Sequence, residues 1–160
     1  MQNKNELVIT RVFDAPVATV WKYWTEPDLL KKWWGPKIFT CPFVKIDFRV
    51  GGKYLSCMRG SPVEGAPVQD FWSTGTYKEI VPVKKIVATD SFADEKGNVI
   101  SASHYGMEGF PMELEVTIMF EEKDGKTTMT LRHVGMPAGE NHNGANQSWN
   151  QSFDKLAEIL

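Results

Sequence analysis

The last fourteen residues, QSWNQSFDKLAEIL, set the strongest limit on how this chain can fold. Counting back to Ala145, the residues Ala145, Trp149, Phe153, Leu156 and Leu160 fall within about 80° of one another on a helical wheel. That is one apolar stripe on one long helix. Ala138 and His142 extend it if the helix starts earlier, although Gly139 and Gly144 each weaken those turns by roughly 1 kcal/mol relative to alanine. A stripe of this kind must be covered. The rest of the chain offers mainly strands, so the cover is a sheet.

The clearest strand is MELEVTIMFEE, from Met112 to Glu122. Met112, Leu114, Val116, Ile118 and Phe120 point one way; Glu113, Glu115, Thr117, Met119 and Glu121 point the other. One face is buried and one is wet, as in an antiparallel sheet. KDGK turns it back into TTMTLRHV, where Met129, Leu131 and His133 share a face. Further strands are expected at ELVITRVF, FVKIDFRV, KYLSCMR, QDFWSTGTYKEIV and KKIVATDSF. Gly51-Gly52 reads as the two-residue turn of a hairpin.

Between the first two strands lies WKYWTEPDLLKKWWGP, with four of the six tryptophans in fourteen residues. Val17, Val20, Trp21 and Trp24 recur at helical spacing after Pro16, which suits a first helical turn. Thr25 is placed to N-cap a second short helix, with Asp28 three residues on. Gly35-Pro36 ends it. Helices this short are marginal alone, so they are assigned to plugging one end of the sheet. Trp33 and Trp34 are adjacent and cannot both face inward: one packs near the cavity end, and the other is partly exposed beside Gly35-Pro36.

The chain has 160 residues, which suits one domain spanning 1–160. Its net charge is −2 with no basic stripe, which argues against nucleic acid as a partner. The charge is uneven: residues 1–60 carry +5 and residues 61–160 carry −7. No window approaches a membrane span, and MQNKNELV holds no apolar signal core. Cys41 and Cys57 lack metal or redox spacing and read as reduced thiols, consistent with a cytoplasmic location. His104, His133 and His142 are scattered, with no zinc-ligand spacing, and no cofactor is expected.

Several stretches together resemble the START-like superfamily (SRPBCC, helix-grip): FDAPVATVWKYWTEPDLLKKWWGP, DFRVGGKY, GTYKEIVPVKKIVATDSF, VTIMFEEKDGKTTMTLRH and QSWNQSFDKLAEIL. Within it they look most like the family named after the C-terminal domain of the activator of the heat-shock protein 90 ATPase. The resemblance covers residues 6–160. It implies an α+β helix-grip fold: a curved antiparallel sheet wrapped round a long C-terminal helix, with two short helices after the first strand and an apolar cavity in between. It also implies three kinds of role. One is binding of a small hydrophobic or amphipathic molecule in that cavity. Another is contact with a chaperone, heat-shock protein 90. The third is enzyme chemistry of a cyclase or hydrolase type. The first is preferred on the resemblance and the inward aromatic faces; only the family name motivates the second, and no convincing acid–base pair stands out for the third.

Candidate ligand-binding residues follow from faces and composition. His133 shares the inward face of its strand with Met129, and a polar ring there must find a partner in protein, water or ligand. Trp72 and Tyr77 lie on one central strand, and Trp149 and Phe153 lie on the helix that covers it. Met58 adds adaptable apolar surface. His104 and Tyr105 begin the Gly-rich stretch GNVISASHYGMEGFPM, read as a flap at the pocket mouth. Lys31, Lys32 and Lys37 mark either a solvated helix face or a docking surface for an acidic partner. A monomer and a homodimer both fit.

Overall fold

Alternation of apolar and polar residues folds seven segments of this chain into one sheet. The computed structural model describes residues 6–160. Strand β1 (Glu6–Phe13) leads into helices α1 (Val17–Thr25) and α2 (Pro27–Leu30). Six strands follow: β2 (Thr40–Ile46), β3 (Lys53–Gly60), β4 (Gln69–Val81), β5 (Lys85–Ala93), β6 (Leu114–Lys123) and β7 (Lys126–Val134). Helix α3 (Glu140–Ile159) ends the chain. The strand order is β1-β7-β6-β5-β4-β3-β2, so β2 to β7 form a meander and β1 pairs antiparallel with β7. This is the helix-grip arrangement, with the sheet curved round α3.

The stripe on α3 does what its spacing demands. Phe153 and Leu156 are wholly buried and join Leu7, Ile9, Phe13, Met129 and Leu131 in one core. Two polar ties fix the helix to opposite sides of the fold. Arg11 on β1 reaches the Asn150 carbonyl at 3.2 Å and the Asp154 carboxylate at 2.8 Å. Lys155 donates to the carbonyls of Pro36 and Phe39 at 3.3 and 3.1 Å.

The tryptophan-rich stretch is mainly architecture. Trp21 packs edge-on to Phe48 and Phe120. Trp24 is the hub: its ring meets those of Trp33, Trp34 and Trp149 at 4.8, 6.1 and 6.3 Å. Its Nε1–H donates to the sulfur of Met129. Trp33 is wholly buried and donates to the Tyr23 carbonyl at 2.9 Å, whereas Trp34 is half-buried.

Three local expectations need correction. Thr25 does not cap α2 but ends α1; Glu26 occupies the cap position, without a side-chain bond. Pro27 explains this, because the residue before a proline is pushed to extended backbone, and Glu26 sits at φ −101°, ψ 123°. Gly51-Gly52 is not a two-residue hairpin turn either, since six residues separate β2 from β3. Instead the pair docks on β4: Gly51 N donates to the Tyr77 carbonyl and Tyr77 N donates to the Gly52 carbonyl. A Cβ on Gly52 would lie 2.0 Å from the Asp47 carbonyl oxygen, so close approach, not turn geometry, requires the glycine. Finally, β6 begins at Leu114, and Met112 is exposed just outside it. Pro111 lacks the N–H that an earlier start would use.

One buried hydroxyl staples the end of β1 to the start of β7. Thr127 is wholly buried, and its Oγ1 donates to the Ala15 carbonyl at 2.8 Å. Thr127→Val keeps the shape and orphans that carbonyl, so urea denaturation is expected to show a loss of about 1–2 kcal/mol.

Candidate cavity site

Helix α3 lies on the sheet at one end and stands off it at the other, and the gap is a cavity of about 320 Å³. Its walls come from four directions. Met58, Phe71 and Phe92 rise from β3, β4 and β5. Ala145, Ser148 and Trp149 descend from α3. Met107 and Phe110 come from the loop between β5 and β6, and Trp34 closes the end nearest the short helices. The volume falls at the lower end of the range of small-molecule sites, and the lining surface is mainly apolar, with aromatic rings and methionines interleaved among serines.

Eight polar side chains also border the cavity, four of them serines, and one cluster centres on His133. Trp149 Nε1–H donates to His133 Nδ1 at 3.2 Å. Nδ1 is therefore the acceptor, and a neutral His133 carries its proton on Nε2. Nε2 lies 3.0 Å from Asp90 Oδ2, yet its N–H is aimed too far off that line to make a hydrogen bond. The other carboxylate oxygen of Asp90 accepts from Tyr54 O–H at 3.0 Å. Burial, and then the Asp90 charge, hold the Tyr54 hydroxyl well above the ordinary phenol range, so it stays a donor. The second unpartnered nitrogen is Trp34 Nε1, buried with no acceptor in reach.

Strand register brings Asp90 to His133. Asp90 pairs with Leu114 on β6, and Val116, two residues on, pairs with both Ala88 and His133. Asp90 and His133 are thus diagonal neighbours across one strand, on the inward face. The signal was present in the sequence: Ile86, Ala88, Asp90 and Phe92 alternate on β5, and a carboxylate in an apolar row is unusual. Periodicity alone marks Trp34 only as one of two adjacent indoles, and Asp90 is absent from the candidate residues that faces and composition give.

Of the residues expected at the site, Met58, His133 and Trp149 line the cavity. Tyr77, Met129 and Phe153 are buried in the core and lie outside its wall. Trp72 is on the outer face, packed against Phe43. Trp72 and Tyr77 are five residues apart, and the two-residue period of a strand sends them to opposite faces. His104 is exposed in the 3-10 turn Ala102–Tyr105. Tyr105 stands behind the wall: its ring packs on Phe71 and Phe92, and its hydroxyl donates to the Ala93 carbonyl.

The remaining chemistry is quiet. Cys41 and Cys57 are free and buried, and burial pushes the Cys57 thiol up to about 11, so neither is primed as a nucleophile. Among the described residues, no three His, Cys, Asp or Glu side chains converge for a metal. No helix of the described residues is long and apolar enough to cross a membrane. Lys31, Lys32 and Lys37 are all exposed.

Residues 14–160 match the family described as Activator of Hsp90 ATPase homolog 1-like protein. Solved structures agree in fold. A Nitrosomonas europaea protein is 22% identical, with a TM-score of 0.77, covering 100% of this chain and 96% of its own. A Chromobacterium violaceum protein is 26% identical, with a TM-score of 0.72 and coverage of 98% and 97%. The AHSA1 protein of Silicibacter pomeroyi is 20% identical, with a TM-score of 0.72 and 96% coverage of both chains. No curated protein matches the chain closely.

Proposed function

The chain belongs to the Activator of Hsp90 ATPase homolog 1-like family, and on that footing we propose that it binds a small amphipathic molecule in the cavity between α3 and the sheet. One observation carries the reading. A cavity of about 320 Å³ lies open between α3 and the sheet, and its lining surface is mainly apolar. Close-packed interiors rarely leave a void of that size, and its aromatic and methionine side chains supply apolar contact to a guest.

Gly144 provides the test. It lines the cavity from α3, and a Cβ there meets nothing within 4 Å. Gly144→Ala is expected to raise stability by roughly 0.5–1 kcal/mol through helix propensity alone, with the cavity left open. Gly144→Phe is expected to fill the space and lower the affinity for 2-naphthol or decanoate, read by titration calorimetry, about tenfold or more. Equal affinity in both variants, or no uptake of either probe by the parent protein, overturns the proposal.

A further inference from the structure

The chain holds three histidines, and one of them makes a hydrogen bond that protonation would destroy. His104 is exposed, its ring edge-on to that of Tyr105. His142 Nε2 donates to the Glu6 carbonyl at 3.2 Å, a bond that a charged ring makes as well. His133 instead accepts. Its Nδ1 takes the Trp149 Nε1–H at 3.2 Å, and an indole nitrogen can only donate. That bond joins β7 to α3 beside the cavity. The ring has a second neighbour on its other side. Its Nε2 lies 3.0 Å from Asp90 Oδ2 without bonding to it, while Tyr54 O–H holds the other carboxylate oxygen. In the orientation that serves Trp149, the ring does not serve Asp90.

We propose that His133 is a pH-sensitive clasp on the first half of α3. When the ring is neutral, Nδ1 accepts from Trp149 and ties the helix to β7. Once Nδ1 takes a proton, two N–H donors face each other and the tie is lost. The charged ring then turns Nε2–H onto Asp90 Oδ2, a charge-assisted bond that the neutral state does not make. Each state has its own partner for the ring, and what changes between them is the hold on α3. The tie is therefore present on the alkaline side of that protonation and lost on the acidic side. The surrounding elements bring few other charges. β5 faces the ring with Asp90, and β3 stands behind that carboxylate with Tyr54. β1 and β6 face it with Leu7 and Val116, its register partners, which do not titrate. α3 brings Trp149 and, elsewhere on the cavity wall, Glu140. The second half of α3 is held by other groups: Phe153 and Leu156 in the core, Arg11 on Asn150 and Asp154, and Lys155 on two carbonyls. The clasp does not depend on whether the cavity takes a guest.

Hydrogen exchange of the backbone amides, corrected for its intrinsic pH dependence, compares the two halves of α3 at about pH 8 and about pH 5. In the parent protein, residues 144–149 are expected to lose protection about three- to tenfold on acidification, the worth of one hydrogen bond, while residues 153–156 keep theirs. His133→Asn puts an oxygen at the position of Nδ1 that takes no proton in this range, so protection of residues 144–149 should no longer depend on pH. Trp149→Phe removes the donor and should give the weakened level at both pH values. Asp90→Asn takes away the counter-charge of the protonated ring and should move the loss to lower pH. Equal protection at both pH values in the parent protein overturns the proposal. So does a loss that persists unchanged in His133→Asn, or one spread evenly over both halves of the helix.

Discussion

Trp33→Ala is expected to cost roughly 3–5 kcal/mol of stability, the range for deleting a large buried aromatic side chain. Trp33 is wholly buried, and it joins the first short helix, through Trp24, to the long one, through Phe153. Its removal leaves a hole bounded by rings that cannot collapse into it. It also orphans the Tyr23 carbonyl, which now accepts the Trp33 N–H. Domains of this size are stable by about 5–15 kcal/mol, so the variant would lose a large share of its margin. Urea denaturation is the measurement: the midpoint should fall with the slope unchanged. A loss below about 1 kcal/mol would mean that the two short helices rest on the sheet without supporting it.

Gly75→Ala should be worse still, at least about 4 kcal/mol, showing as low soluble yield or a protein unfolded at room temperature. A Cβ at Gly75 would lie 1.8 Å from the Thr89 carbonyl oxygen and 2.6 Å from the Tyr54 ring. The first of these is backbone of the neighbouring strand, so a side-chain rotation cannot relieve it. Moving β5 would disturb Thr89 Oγ1, which accepts from Thr76 N at 2.8 Å, and the Tyr54 contact with Asp90. The variant thus couples the sheet to the polar end of the cavity. A soluble Gly75→Ala protein that melts within a few degrees of the parent, about 1 kcal/mol, would show that β4 and β5 can part there at little cost.

The fold was legible because its signals are periodic. Alternation in β6 and β7 and the stripe on α3 each repeat several times, so one ambiguous residue does not change the reading. The inward aim of His133 followed from the same alternation. The cavity wall was less legible, because it is assembled from single residues on different elements. Met58, Asp90 and His133 lie on three strands, and only pairing register brings them to one face. Trp72 faces away from Tyr77 because five positions along β4 reverse the parity. The place of Trp34 depends on where the chain turns at Gly35, where a Cβ would touch the Met58 sulfur at 3.4 Å. Capping at Thr25 failed for a local reason, the proline two residues later.

The walls of the cavity differ in how they can yield. β3, β4, β5 and β7 are laddered on both sides, and α3 is tied down at Arg11 and Lys155. Met107 and Phe110 instead sit in a loop whose strand-type pairing is a single bridge, Ala93 with Val99. Asn141 Nδ2, donating to the Glu108 carbonyl at 2.8 Å, fastens that loop to α3. On the proposed reading of the cavity as a ligand site, equilibrium selectivity and exchange speed would be governed by different parts of the molecule. The laddered side would choose what is held, and the opening of that loop would set the residence time of a guest.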